Sequence, residues 1–352
     1  MKLRLLGKII YSMKNIKYPL LFLILFCILS CKSKKNIPDV SAIKIDLKIE
    51  RFETDFYKAD TTNLAKSFEI LQQKYPTFFI DYLYQVLGLM PQADSTLSQA
   101  KLFLRDSLYN VIYKDATAKF QTLNAVKSEL ELGLKLTKYY FPNYQIPQKL
   151  ITFIGPLDGV GTALTSDHSL AIGLQGYLGK DYFAYQNGYI AQTYPAYKTR
   201  KFEPEYIATN CIQSIINDLY PNKNIGRPLA ERLVDEGRRL YVLDALLPNT
   251  EDTVKTGYTA NQLSECIKNE KVIWSFFVQQ NLLFEREPSK VSPYVTDGPK
   301  TQELSETSPG NIGQFVGWKI VKKWIEKNPK TTMQQLMQMP TMTIFNEANY
   351  SP

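Results

Sequence analysis

Leu233-Val-Asp-Glu-Gly-Arg-Arg-Leu-Tyr-Val-Leu-Asp-Ala-Leu-Leu-Pro248 is the stretch on which the fold turns. With the residues before it, it reads as one helix over 228–246, closed by Pro248. Leu229, Leu233, Glu236 and Leu240 fall at i, i+4, i+7 and i+11, so Glu236 lies on the apolar stripe. A carboxylate there must be paired or hydrogen-bonded, or it takes up a proton. Two accounts stand: a ligand-binding or general-base carboxylate in a cleft, or a buried carboxylate tied to an Arg or Tyr. Gly237 costs about 1 kcal/mol relative to Ala inside a helix, which points to another backbone passing close by.

Around this helix the chain reads as mostly α with a small β-sheet, an α+β fold. In the N-terminal half, helices are expected over 62–75, 79–89, 97–113 and 116–140, the last with Leu123, Val126, Leu130, Leu134 and Thr137 in one stripe. Short strands are expected over 44–49, 149–154 and 169–174. The glycines of Gly155-Pro-Leu-Asp-Gly-Val-Gly161 suit a sharp, hairpin-like connection and match neither the Rossmann nor the Walker pattern. Further helices are expected over 205–219, 228–246, 260–283 and 310–327, with a short one near 332–338. Residues 286–309 read as irregular. No internal repeat or domain boundary emerges, so 43–352 is expected to form a single domain.

The N-terminus carries an address. Lys14 and Lys17 precede the apolar run Leu20–Leu29, then Ser30 and Cys31. That is the charged region, apolar region and small-residue cut site of an exported precursor, with Ile28-Leu29-Ser30-Cys31 as a lipobox. Residues 1–30 are then a lipoprotein signal peptide, Cys31 the lipidated residue and 31–42 a tether. The alternative is a retained anchor, against which the apolar run falls short of the ~20 residues a spanning helix needs. Met13 is a plausible alternative start.

The same segment corrects the charge. The first 30 residues hold five of the 42 basic side chains and no acidic one, which leaves 37 basic against 34 acidic residues. A net charge near +3 is no footprint for nucleic acid, so no nucleic-acid partner is expected. The single histidine, His168, excludes any metal site built on two histidines of one chain. It lies in a turn and reads as a solvated or capping residue. Cys211 and Cys266 either pair in an oxidising compartment or stay as buried thiols.

Two more motifs concern function. Thr209-Asn210-Cys-Ile-Gln213 places Thr209 and Gln213 at i and i+4 on one helix face, the slots of the two zinc-binding histidines in a His-Glu-x-x-His helix. Neither Thr nor Gln ligates zinc well, so no metal and no cofactor is expected there. Ser308-Pro309-Gly310 opens the last long helix, with Ser308 as cap and Pro309 at the first position. Gly310, Gly313 and Gly317 then make a bare stripe. It fits either close packing of the chain on itself, the commoner case, or a surface for a partner. Lys319, Lys322 and Lys323 read as the solvated face.

Leu170-Ala-Ile-Gly-Leu-Gln-Gly-Tyr-Leu-Gly179, Leu233–Tyr241 with Leu243–Pro248, and Ser308–Gly313 with Gly317-Trp318 resemble the gliding motility lipoprotein GldB family of Bacteroidetes. The resemblance runs from Arg51-Phe52 to the C-terminal helix. It implies a lipid-anchored envelope protein needed for gliding and linked to type IX secretion, whose partners are the membrane, through Cys31, and other envelope proteins. A more distant likeness, to predicted zinc peptidases, would put Thr209, Asn210 and Gln213 where metal and base residues belong and keep Glu236-Gly237. That implies a zinc-peptidase-like layout without its metal. The expected role is therefore non-enzymatic and exerted through protein contacts, facing the periplasm from the outer membrane. Its candidate cleft or contact residues are Thr209, Gln213, Glu236, Gly310, Gly313 and Gly317. The alternatives are a periplasmic hydrolase using Glu236 as base, or a module that binds an extended peptide.

Overall fold

Strands β1 (Lys48–Arg51), β2 (Lys149–Phe153), β3 (Thr162–Leu164) and β4 (Leu170–Gly173) form one mixed sheet in the order β1-β2-β4-β3. The computed structural model describes residues 37–90, 95–223 and 225–352, and Asp39–Pro352 forms one unit. The expected signal peptide, the lipobox with Cys31 and the start of the tether lie outside the described residues. Val40 is already buried in the core, three residues ahead of the expected start of the domain.

β1 pairs with β2 and β2 with β4 in parallel, whereas β3 runs antiparallel to β4, with Thr162 opposite Ile172 and Leu164 opposite Leu170. The connection over Gly155–Gly161 is therefore not a hairpin: it joins β2 to β3, which run in opposite directions but are not neighbours, because β4 lies between them. It carries the chain past the place of β4 to the edge strand. The hairpin is the β3–β4 turn, where the Ser169 carbonyl accepts from the Thr165 N–H. Leu150, Leu170 and Ile172 face one core, and Ile151, Phe153 and Ala171 face another, lined by Phe52, Phe56, Phe78 and Tyr82. Burial on both faces is why these strands read as unbroken apolar runs.

Helix α1 (Phe52–Tyr57) follows β1 without a loop. Glu53, its second residue, is buried and accepts from Arg51 Nε at 2.5 Å and from Thr152 Oγ1 at 2.6 Å, so one carboxylate stitches α1 to β2. Then come α2 (Leu64–Lys74) and α3 (Phe78–Asp81), the latter running into a π-helical turn, Tyr82–Val86, in place of the expected helix over 79–89. The expected helix over 97–113 is two helices, α4 (Thr96–Arg105) and α5 (Ser107–Lys119). Asp106 between them is extended, and its carboxylate accepts from the Leu108 and Tyr109 N–H groups, capping the second helix. The expected long helix from 116 is broken too: the chain turns at the buried pair Phe120 and Leu123 before α6 (Asn124–Tyr140).

The C-terminal half adds the short α7 (Gly188–Thr193) and α8 (Ala196–Thr199), then α9 (Tyr206–Leu219), α10 (Leu229–Leu246) and α11 (Asp252–Thr256). The expected helix over 260–283 splits into α12 (Ala260–Lys268) and α13 (Glu270–Gln279) at Asn269, whose side-chain amide donates to the Glu265 carbonyl. The irregular stretch contains α14 (Pro288–Val295), started by Pro288. The chain ends with α15 (Ile312–Lys327), α16 (Met333–Gln338) and α17 (Thr341–Ala348), the last unanticipated.

α10 is the spine. Its Leu229, Leu233 and Val234 pack with Phe277, Ile312, Phe315 and Trp324 in one core, while Leu240, Leu243 and Leu246 pack with Leu134, Ile212 and Leu150 in another. α15 lies against α10 at backbone distance: a Cβ on Gly237 would stand 2.0 Å from the Gly317 carbonyl carbon, and one on Gly317 would stand 1.7 Å from the Leu233 oxygen. Gly310 abuts the backbone of Gly298, and Gly313 abuts Leu233 and the Tyr294 carbonyl. The glycine stripe is thus filled by the chain itself and offers no free surface. The lysines beside it are only partly solvated, since Lys319 pairs with Glu270 at 2.6 Å and Lys322 sits 3.4 Å from the centroid of the Trp318 ring. Cys211 and Cys266 are buried free thiols, and burial pushes the latter up to about 12.

Candidate functional site

α9 is two-faced. Ile207, Cys211, Ile212 and Ile215 are fully buried in the core, while Thr209, Asn210, Gln213 and Asn217 line a cavity of about 410 Å³. Glu236 and Leu240 of α10 form another wall of it, Lys255 and Gly257 a third, and Asn311 and Gln314 at the start of α15 a fourth. A neighbouring cavity, also about 410 Å³, is walled by Gly159, Gly161, Thr162, Tyr177, Tyr194 and Phe202. Lys201, Asn210, Gln213, Asn217 and Asp297 line both, so the two are lobes of one cleft.

Hydrogen bonds fix its walls. Thr162 Oγ1 and Asn210 Nδ2 meet on the Tyr177 hydroxyl at 2.6 and 2.8 Å, tying the edge strand to α9. Burial pushes the Tyr177 phenol up to about 12, so it stays neutral and serves as a fixed hydrogen-bonding post. The glycine connection is held by Gln175, whose Oε1 accepts from the Gly155 N–H at 3.1 Å and whose Nε2 donates to the Val160 carbonyl at 3.2 Å.

The charges are unevenly committed. Lys201 pairs with Asp297 at 2.8 Å, and the buried Lys255 pairs with Asp244 and Asp252. Arg239 donates to Asp235 at 2.9 Å, to Asn217 Oδ1 at 3.1 Å and to the Tyr220 carbonyl at 2.6 Å. Glu236, by contrast, makes no hydrogen bond or ion pair with the described residues. Burial, and after it the neighbouring Asp235 charge, raise its carboxyl above the ordinary glutamate value against the weaker pull of Arg239 and Arg232. Thr209 is 1% exposed and its hydroxyl has no partner, and Asn311 Oδ1 is buried without a donor. The cations of the cleft are spoken for, and three oxygen acceptors are not.

Thr209, Gln213 and Glu236, expected at a cleft or contact, thus converge on one cleft, whereas Gly310, Gly313 and Gly317 pack inside the chain. The buried carboxylate tied to arginine exists, but it is Asp235: 2% exposed, it accepts from Arg238 at 2.5 Å and from Arg239. Its signal was the spacing Asp235-x-x-Arg238-Arg239, which puts both guanidiniums beside it on the helix. Asn311 follows Gly310 at φ 51°, a left-handed conformation that asparagine tolerates better than most residues. His168 lies outside the cleft, with Nε2 2.6 Å from the Gln145 carbonyl oxygen. Among the described residues no group of three or more His, Cys, Asp or Glu side chains is placed to hold a metal ion.

A carboxyl whose pKa is raised by folding opposes folding at neutral pH, and the penalty fades as pH falls through the raised value. Glu236→Gln is therefore expected to fold with an equal or higher melting temperature at pH 7, and to lose that advantage at mildly acidic pH. A clear drop at pH 7 would show that the carboxylate has a structural partner after all.

The fold and cleft define a mostly helical α+β protein in which a sheet edge and two central helices frame a polar cleft. The chain belongs to the gliding motility protein GldB family, whose sequence profile matches residues 33–352. No curated protein and no solved structure matches it. No helix among the described residues is long and apolar enough to cross a membrane.

Proposed function

We propose that this gliding motility protein is a lipid-anchored component of the envelope apparatus for gliding and type IX secretion, held to the outer membrane through Cys31 and facing the periplasm. It works by holding another polypeptide in its cleft rather than by catalysis. The carrying observation is the polar face of α9, where Thr209, Asn210 and Gln213 present a hydroxyl and two neutral amides to the cleft. Such side chains recognise polar groups, and none of them is a general base at neutral pH. The lipobox supports the address, and two acyl chains suffice for stable anchoring.

In cells, deletion of the gene should abolish spreading and impair protein secretion, and Cys31→Ala should release the protein from the membrane fraction. Unchanged spreading and secretion after deletion would sink the reading. One observation favours a hydrolase as the second reading, namely the raised carboxyl of Glu236 in a cleft. Purified protein that degrades casein or peptidoglycan, and ceases to in Glu236→Gln, would establish it.

A further inference from the structure

We propose that the lobe of the cleft containing Glu236 takes an alkylammonium or guanidinium group, carried by a lysine or arginine of an extended segment of the partner polypeptide. This rests on the reading that the cleft holds a polypeptide, and it names the chemistry of the contact.

The cations of the cleft are already paired. Lys201, Arg239 and Lys255 each have a carboxylate within the fold, so none waits for an anionic ligand. The uncommitted groups are the Glu236 carboxylate, the Thr209 hydroxyl and Asn311 Oδ1. Thr209 is almost wholly buried, so water does not meet its need, and an unmet buried polar group costs about 1–3 kcal/mol. A ligand rich in N–H donors and carrying positive charge pairs with the Glu236 carboxylate, and its remaining donors suit a wall that offers oxygen acceptors. An anion or an apolar group leaves the acceptors unmet and faces an unpaired carboxylate. Asp235, Asp244, Asp252 and Asp297 balance the resident cations, so the extra charge of Glu236 favours a cation over a neutral amide.

The length of the cleft argues for a polypeptide source. Its two lobes, about 410 Å³ each, hold far more than one ammonium group, and Thr162, the first residue of the edge strand β3, lines the second lobe where α9 packs beside that strand. An extended segment running through both lobes places one side chain at Glu236 and its main chain against the neutral amides of α9. Lys201, Asn210, Gln213, Asn217 and Asp297 then form the continuous floor between that strand and Glu236.

The test is titration calorimetry of the full lipoprotein in detergent with capped peptides of serine and alanine carrying one central Lys, Arg, Gln or Glu, and with spermidine. The Lys and Arg peptides are expected to bind about tenfold or more tightly than the Gln peptide, and the Glu peptide more weakly still. Glu236→Gln should erase that preference, Thr209→Val should weaken binding, and both variants should keep the wild-type circular dichroism spectrum. Affinity for the Lys peptide should fall as pH is lowered from 7 to 5 and the carboxyl is protonated. Equal binding of the Gln or Glu peptide, an intact preference in Glu236→Gln, or no binding of any cationic probe would overturn the proposal. Spermidine binding as tightly as the peptides would overturn the polypeptide source. A strain lacking the gene that still fails to spread would keep the protein-contact reading alive while the cation site alone fell.

Discussion

Gly317→Ala should destabilise the protein by about 3 kcal/mol, the upper part of the usual range for overpacking. The added methyl would stand 1.7 Å from the Leu233 carbonyl oxygen and within 3.0 Å of Gly237, so it meets backbone and no flexible side chain can yield. α15 must move away from α10, which opens the core shared by Leu233, Phe315 and Val316. Alanine's higher helix propensity returns about 1 kcal/mol at most and does not reverse the sign. The measurable outcome is a fall in melting temperature of about 4–5 °C. Gly237→Ala should behave alike, because it is the other half of the same contact. Gly176→Ala is the control: nothing lies within 4 Å of its added Cβ, and it should shift stability by no more than ~0.5 kcal/mol. Equal melting temperatures for Gly317→Ala and the control would show that the helices are not in backbone contact.

Asp235→Ala should be at least as damaging, at about 3–5 kcal/mol, because it removes one member of a buried ionic cluster and leaves the others in place. Arg238 and Arg239 keep only 11% of their side chains exposed, and Asp235 is the carboxylate both share. Their other bonds run to the Met337, Met339 and Tyr220 carbonyls and to Asn217 Oδ1, so the cluster fastens the ends of α16 and α9 to the middle of α10. Its loss should loosen three elements together and lower the urea midpoint accordingly. The pH dependence carries the same signature. Burial alone would raise the Asp235 carboxyl, but the two guanidiniums outweigh it and hold the group below the usual aspartate value. A lowered folded pKa contributes stability that is present above the unfolded value near 4 and is lost as pH falls through the folded value. Stability should therefore drop below about pH 4 in the wild type, and Asp235→Asn should flatten that part of the curve. A variant with the wild-type acid profile would show that Asp235 is not the group being titrated.

Neighbouring positions on one helix show how much of the site was legible. That α10 buries a carboxylate followed from the leucine spacing, but residues 235 and 236 differ by only about 100° around the axis. The apolar stripe singled out Glu236, whereas the packing of α16 and the end of α9 buried Asp235 and left Glu236 to line the cleft. Thr209 and Gln213 were found by their spacing on α9, and their convergence with Glu236 required α9 and α10 to meet. The glycine connection over 155–161 drew notice as a loop, yet only the sheet order placed it at the second lobe. Helix breaks at Asp106 and Asn269 were missed because each is made by one polar side chain inside an otherwise continuous pattern.

The stretch 233–248 and the glycines of 310–317 carry the contrast furthest. Sequence alone determined that α10 is a buried helix, that Gly237 needs a close neighbour and that the last long helix bears a bare stripe, since each follows from periodicity and the absence of a Cβ. Only the tertiary structure decided that these two needs answer one another, Gly237 against Gly317, and that the cleft opens beside their contact, at Glu236 and Gln314. Helical periodicity fixes which side chains share a face and leaves open what that face meets, because the meeting depends on distances between segments some 80 residues apart.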